Sequence, residues 1–495
     1  MIDLTRHPVQ LERAVARARE RGIIIPTFAQ MRDPSRIPSS VVERLRDIGL
    51  WDLHPLNLFR ITWKNEPTPH GGGFGGVNYL EFPPELTGVS ARIIALVGKW
   101  FPTGAHKVGA TFGCLAPRLV TGQFDPTFHQ AVWPSTGNYC RGGAYNSHLL
   151  GCDSIAILPE EMSRERFEWL SKVAGEVIAT PGCESNVWEI FQKCIVLQAT
   201  RDNVMIFNQF DEPGNHLWHY DVTGHAMEEV LNAQLGADRY AGVVLTSGSA
   251  GTMGCGDYLK ELYPASKLVV SEALQCPTLL ENGFGGHRIE GIGDKHVPWI
   301  HNARNTDMVT GIDDEDCMHL IRLFNEPAGR AYLASQAVPE ELVEKLDLLG
   351  ISGVANLLSA IKFAKYYELT ERDVVLTVLT DSMELYESRL HELSEERGPY
   401  SEPQAAVDYY AHLLGIKTDF TLELSHRDRR RIHNLKYFTW IEQLGKSLDE
   451  LDAQWYDYPG YWDRIHQSVG AIDEQIESFN ERVGLVGSSG VLANA

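Results

Sequence analysis

The chain has 495 residues, 43% hydrophobic and 22% charged, enough for two or three domains with substantial cores. Acidic residues outnumber basic ones, 66 to 44, and the net charge of −22 argues against general affinity for nucleic acid or anionic membranes. No run of about eighteen uncharged apolar residues occurs, so no membrane span is expected. The eight cysteines form no CxxC pair, as expected of reduced thiols in a cytoplasmic protein.

The N-terminal stretch MIDLTRHPVQLERAVARARERG predicts an amphipathic charged helix and lacks the apolar core and cleavage site of a signal peptide. Residues 1–85 mix helical patterns with Pro and Gly, and HGGGFGGV (70–77) is a loop by composition, either a surface linker or a lid. From about residue 90 the rhythm changes. Short apolar runs appear at ARIIALVGK (91–99), QAVWPST (130–136), DSIAILP (153–159), GEVIATPG (175–182) and VMIFNQF (204–210). YAGVVLTSGS (240–249), SKLVVSEA (266–273) and DVVLTVLTD (373–381) continue the series. Helical patterns such as SRERFEWLSKVAG and VWEIFQKCIVLQAT lie between them. Such alternation predicts βα units and an α/β fold with mainly parallel sheets, whose ligands bind beyond the carboxyl ends of the strands. After about 390 the pattern is helical and strongly charged. Its basic cluster, Arg427, Arg429, Arg430 and Arg431, is expected to be a solvated face paired with acidic residues, with an anion site as the alternative. His216, His219 and His225 are spaced within reach of a metal, but no cysteine or carboxylate cluster accompanies them, and no metal is expected.

Three loops after strand-like runs carry chemistry. KWFPTGAHKVGATFG (99–113) puts Lys107 where an apolar helix begins; an unpaired buried ammonium there is costly unless it is bonded to something. WPSTGNYCRGGA (133–144) sets hydroxyls, backbone N–H groups and Asn138 at the start of a helix, an arrangement that binds carboxylates or simply caps the helix. LTSGSAGTMGCG (245–256) wraps small residues before another helix, as a phosphate cradle does, without the GK[ST] of a nucleotide loop. A phosphate cradle, an anion-binding loop and a buried lysine together fit pyridoxal 5'-phosphate, held covalently by the lysine.

At these residues the chain resembles the fold type II pyridoxal-phosphate enzymes, the tryptophan synthase β-like superfamily. PTGAHK is similar to the lysine motif of that superfamily. STGN, GSAGT, FNQFDEPGNHLWHYDVTGHAMEEVL (207–231), HRIEGIG (287–293), GISGVAN (350–356) and VLTDSMELY (378–386) resemble, in order, segments of cysteine synthases and cystathionine β-synthases. The resemblance spans roughly residues 90–390. It implies a two-domain fold, each domain a mainly parallel sheet flanked by helices, with helical extensions at both ends. The corresponding boundaries are an extension at 1–85, a smaller domain at 86–205, a larger one at 206–388 and a helical extension at 389–495.

Carried over residue by residue, the resemblance implies that Lys107 holds the cofactor and moves the substrate's α-proton. Asn138 bonds the ring oxygen, and Ser135, Thr136, Gly137 and Tyr139 hold the substrate carboxylate. Gly248, Ser249, Ala250, Gly251 and Thr252 bind the phosphate. Ser352 faces the pyridine nitrogen, with Thr380 as the alternative. A neutral hydroxyl there makes a weaker electron sink than an aspartate would, which suits loss of a β-leaving group through an aminoacrylate better than transamination. The activity implied is β-elimination or β-replacement on a small amino acid with a β- or γ-leaving group, in a homodimer or larger homo-oligomer. A degenerate cofactor-binding scaffold or partner subunit is the alternative.

Departures from the family pattern bear on substrate choice. Ala250 stands for a glycine and is expected at negative φ. Tyr139 stands where a threonine is usual. TPGCESNVW (180–188) replaces the substrate loop and tilts the expectation toward elimination.

Overall fold

The computed structural model describes residues 2–135, 137–182 and 186–485. The chain builds two sheets from β1 (Tyr79–Phe82), β2 (Arg92–Val97), β3 (Gln130–Pro134), β4 (Asp153–Pro159), β5 (Glu176–Thr180), β6 (Val204–Ile206), β7 (Arg239–Thr246), β8 (Lys267–Ala273), β9 (Met308–Ile312), β10 (Asp373–Leu379) and β11 (Thr421–Glu423). The larger sheet has the order β1-β2-β10-β7-β8-β9-β11, and the smaller β5-β4-β3-β6. Strands β2, β10, β7, β8 and β9 are mutually parallel, as are all four of the smaller sheet. Only β1 and β11 run antiparallel, each at an edge.

Every residue of β10 and of β9 is buried, which is why these segments are mostly apolar and do not alternate with polar residues. The helix Ile351–Tyr366 is buried from Ile351 to Ala364. Its Asn356 accepts from Thr246 N (2.7 Å) and donates to Val378 O (2.7 Å), tying together the carboxyl ends of β7 and β10. Those ends, with the start of the Lys107–Thr121 helix, form one end of the larger sheet.

The α/β architecture follows the expectation from the strand rhythm. One strand joins the other sheet: β2, inside the 86–205 segment, pairs with β10 and β1. The smaller sheet is thus an insertion between β2 and β7. Likewise β11, from the C-terminal extension, pairs with β9.

The two extensions pack on each other. Asp473 accepts from the N–H groups of Phe28 and Ala29 (2.7 and 3.1 Å), and Asn480 pairs with both backbone groups of Ile25. The basic cluster is a docking element. Arg429 bonds Asp307 Oδ1 at 2.7 Å, Arg431 donates to Leu279 O, and Arg430 lies over Trp455 and Tyr456. In the glycine-rich 70–77 loop, buried Arg60 donates to Gly71 O (2.7 Å), and Gly73 N bonds Glu66.

Candidate functional site

Lys107 opens the helix Lys107–Thr121 and is half-buried. The turn before it is strained: Thr103 and Gly104 both take left-handed φ, 70° and 71°. For a β-branched residue such as Thr103 that costs about 1–2 kcal/mol. A Cβ on Gly104 would meet the Trp51 ring at 2.5 Å, and His106 N donates to Thr380 O (3.3 Å), so the turn is held between an N-terminal tryptophan and the end of β10. The small residues after Lys107 permit close packing. A Cβ on Gly109 would meet Trp218 at 2.1 Å, and one on Gly113 would meet Gly214 O at 2.4 Å.

One cavity is lined by Lys107, His106, His219, the Gly248–Thr252 turn, Asn356 and Thr380. The turn links β7 to the helix Met253–Leu262. Its carbonyls at 250, 251 and 252 accept the first bonds of that helix, which leaves the N–H groups of the turn as the donors of a helix N-terminus. Asn215 braces it, donating to Ser249 Oγ (3.0 Å) and Gln209 O (2.9 Å). A Cβ on Gly251 would lie 2.0 Å from Asn215 Oδ1, and one on Gly248 would lie 2.6 Å from Gly291 O. Ala250 departs from expectation: its φ is +63°, not negative. The turn keeps a glycine-type backbone, with the methyl group buried in the core, at a cost of about 1–2 kcal/mol.

Both imidazoles of the cavity are neutral. Burial, with Lys107 adding to it, pushes His106 down to about 3, and burial pushes His219 well below its ordinary value. Both ring nitrogens of His106 are buried without a hydrogen-bond partner. A glycine-walled helix N-terminus, unsatisfied neutral imidazole nitrogens and a lysine are a donor set that fits a phosphate ester bearing a carbonyl. The residues present therefore fit pyridoxal phosphate.

The Asn138 loop follows β3. Ser135 Oγ accepts from Gln209 Nε2 (3.2 Å) and Gly137 N (3.3 Å); Thr136 lies outside the described residues. Asn138 Nδ2 donates to Asp381 Oδ2 at 2.5 Å, while its Oδ1 is buried and unpartnered. Tyr139 turns its hydroxyl to Cys114 Sγ (3.4 Å) in the core, away from the loop's hydroxyls, which leaves the Tyr139 backbone as its contribution there.

From Asp381 a buried polar chain crosses between the two sheets. Tyr386 OH donates to Asp381 Oδ2 (2.6 Å), Arg166 Nη2 donates to Tyr386 OH (2.8 Å), and Arg166 Nη1 pairs with Glu290 Oε2 (3.1 Å). Arg389 Nε completes it at Glu290 Oε1 (2.7 Å). Burial pushes the Asp381 carboxyl upward, opposed by Tyr386 and Arg166. A Cβ on Gly137 would lie 1.9 Å from Arg166 Nη1, so only glycine lets this guanidinium touch the loop.

Of the two hydroxyls considered for the ring nitrogen, Thr380 lines the Lys107 cavity; Ser352 is buried in the first turn of the Ile351–Tyr366 helix, outside that lining. Sequence reasoning passed over Asp294, whose carboxyl is pushed up to about 7 by burial and drawn back by Lys107. Its signal was its place directly after HRIEGIG. Arg166 gave no signal, since an arginine in a charged helical pattern reads as solvated. Of the three histidines spaced for a metal, His219 lines the Lys107 cavity and His225 Nδ1 lies 2.6 Å from Asp221 O. His216 and His466 meet through their Nε2 atoms at 3.0 Å with Asp257 Oδ2 3.7 Å away. With Asp257 the two nearly parallel rings form a buried group whose ligand atoms lie close enough together to hold a metal ion, and Asp257 is the carboxylate that the sequence pattern did not reveal.

The comparisons with known proteins bear on the family and the fold. A family model described as pyridoxal-phosphate dependent enzyme matches residues 101–381. A probable cysteine synthase of Bacillus subtilis (strain 168) is 30% identical over 290 residues, 58% of this chain and 85% of that protein. The cystathionine beta-synthase of Saccharomyces cerevisiae is 25% identical over 314 residues, 61% of this chain and 58% of the yeast protein. The crystal structure of O-acetyl serine sulfhydrylase isoform 3 from Entamoeba histolytica superposes with a TM-score of 0.55 at 21% identity, over 69% of this chain and 94% of that one, a likeness of fold.

Proposed function

Because the chain belongs to the pyridoxal-phosphate dependent enzymes, we propose that it is a lyase or β-replacing synthase acting on a small amino acid of the serine–cysteine class. The observation that carries this reading is that Lys107 and the Gly248–Thr252 turn line one cavity. When bound there, pyridoxal phosphate supplies the electron sink that weakens the bonds around the substrate's α-carbon.

The chain's own residues do the rest. Lys107 and the N–H groups of Gly248–Thr252 hold the cofactor, and His106 adds a neutral partner beside them. Asn138 offers its unpartnered Oδ1, which Asp381 orients by accepting from Nδ2. Ser135, Thr136, Gly137 and the Tyr139 backbone bind the substrate carboxylate. Thr380 is favoured over Ser352 for the ring nitrogen because it lines the cavity. Lys107 Nζ is the base for the α-proton, and Asp294, whose carboxyl burial pushes up and the Lys107 charge draws back, is the candidate to exchange a proton with it. The polar chain from Asn138 to Arg389 ties the Asn138 loop to the segment after β10 and to Glu290.

We place the reaction in the cytoplasm. The seven described cysteines are all free, as suits a reducing compartment, and no helix among the described residues is long and apolar enough to cross a membrane. A second copy of the chain is the expected partner. Trp188, Ile195 and Val196, exposed on one face of the Val187–Thr200 helix, offer it an apolar surface, and sedimentation of the holoprotein reads the assembly state.

The test is to offer serine, cysteine and O-acetylserine to the cofactor-loaded protein, with and without sulfide, and to follow keto acid, ammonia and cysteine. Keto acid and ammonia identify elimination; cysteine formed with sulfide identifies replacement. A loaded protein that turns over none of them refutes the enzymatic reading and leaves the scaffold. The 180–188 segment, which tilted the expectation toward elimination, lies partly outside the described residues.

A further inference from the structure

Arg141 stands three residues after Asn138 in the helix Asn138–Leu149, on the same face. Its side chain is almost wholly inaccessible, at 1% exposure. The guanidinium carbon lies 5.5 Å from the ring centroid of Trp51 and 4.8 Å from that of Trp169. Its Nε and Nη1 are buried with no hydrogen-bond partner, and it forms no ion pair among the described residues. The other guanidiniums nearby are matched: Arg166 and Arg389 share Glu290, and Asp381 serves Asn138 and Tyr386. Arg141 alone is left over. Two tryptophan faces recover part of its desolvation by cation–π attraction, but they satisfy none of its N–H groups.

Its neighbours set this cation beside the candidate site, behind the residues that line the Lys107 cavity. Trp51 packs on Gly104, three residues before Lys107. Gly142, next to Arg141, backs onto Val108, where a Cβ would come within 2.8 Å of Val108 Cα. Arg141 therefore sits between the Asn138 loop and the start of the Lys107 helix. A planar guanidinium fork with free donors, dry and walled by two indoles, is a receptor for a planar or tetrahedral oxyanion.

We propose that the substrate carries a second oxyanion on its side chain, a carboxylate or a phosphate-type group, and that Arg141 binds it between Trp51 and Trp169. The proposal rests on the reading of this site as one for a small amino acid whose α-carboxylate is held by residues 135–139. That group leaves Arg141 free for a further negative charge.

The test has two independent readouts on the holoenzyme. The first is binding without turnover: inorganic phosphate and succinate are titrated against tryptophan fluorescence in the wild type, Arg141→Gln and Arg141→Lys. The expected result is a saturable change in the wild type that weakens about 10- to 100-fold in Arg141→Gln and by less in Arg141→Lys. The stronger of the two probes identifies the phosphate-type or the carboxylate source. The second is the ratio of kcat/KM for O-phosphoserine or O-succinylserine over that for O-acetylserine, expected to fall about 10- to 100-fold in Arg141→Gln. Removing an unmatched buried charge should also raise the ligand-free Tm, whereas loss of a purely structural arginine lowers it. Should Arg141→Gln fail to fold, Arg141→Lys and the wild-type titrations decide alone. The proposal is overturned if neither probe binds the wild type, or if the substrate ratio is unchanged in the variant. A wild type that binds the probes but turns over no amino acid contradicts the enzymatic reading and leaves the anion site standing.

Discussion

Glu290→Gln removes the buried carboxylate that pairs with Arg166. Arg166 and Glu290 have side-chain exposures of 0% and 3% and face each other at 3.1 Å, so no solvent screens the loss. Breaking a buried pair from one side costs about 3–5 kcal/mol, because the remaining charge stays buried. Arg389, the second partner of Glu290, is 26% exposed and also bonds Glu392, so it can turn to water and adds little. At about 2.1 cal/mol/K per residue, the unfolding entropy of a chain this long is about 1 kcal/mol/K, so the expected fall in Tm is about 3–5 °C. Calorimetry of the holoprotein measures it. The double variant Arg166→Met/Glu290→Gln removes both charges and should recover at least half of the loss. A single-variant shift below about 1 °C, or strict additivity in the double variant, would refute the reasoning that this pair is buried and mutually dependent.

Gly251→Ala forces a methyl group against Asn215, which braces Ser249, and overpacking of this kind costs about 1–3 kcal/mol; absorbance titration should show cofactor binding weakened about 10- to 100-fold. Asp294→Asn removes a group pushed up to about 7, so the limb of the kcat/KM profile near neutral pH should disappear, and an unchanged profile would exclude Asp294 from proton handling. Stability should peak near pH 6.5. Burial pushes His106, His216, His296, His301 and His433 down to about 3 and His466 to about 2, so the unfolded chain binds more protons than the native one up to about 6.5 and stability rises with pH there. Asp221, Asp257 and Asp294, pushed up to about 7, and Glu272, pushed up to about 8, act oppositely: the native state keeps their protons, and stability falls as pH rises toward 8. The histidines outnumber these carboxyls, so thermal melts peaking at pH 5 would contradict this balance.

The strand rhythm was legible because buried parallel strands leave unbroken apolar runs: 153–159 in the sequence is β4 to the residue. The short edge strands β1 and β11 were not, since each is only half-covered and carries no such run. Nor does a run say which sheet it joins, and β2 shows this by pairing with β10, some 280 positions later in the chain. In the site, Lys107 and the 248–252 turn were visible because each breaks the local rule, a lysine entering an apolar helix and a glycine-rich turn after a strand. The conformation of Ala250 was hidden, because Asn215 and Gly291, which crowd the turn, come from distant segments. Arg141 and Arg166 were hidden for a similar reason. Their burial depends on Trp51, Trp169 and Tyr386, and no local pattern announces a charge enclosed by three separate stretches of chain.

The most direct test of the central claim is to load the purified protein with pyridoxal phosphate, reduce it with borohydride, digest it and locate the cofactor mass by peptide mapping. The account predicts the pyridoxyl adduct on the peptide containing Lys107 and none in Lys107→Ala, which should also lose the visible absorption band. An adduct on another lysine, or a wild-type protein that takes up no pyridoxal phosphate, would contradict it.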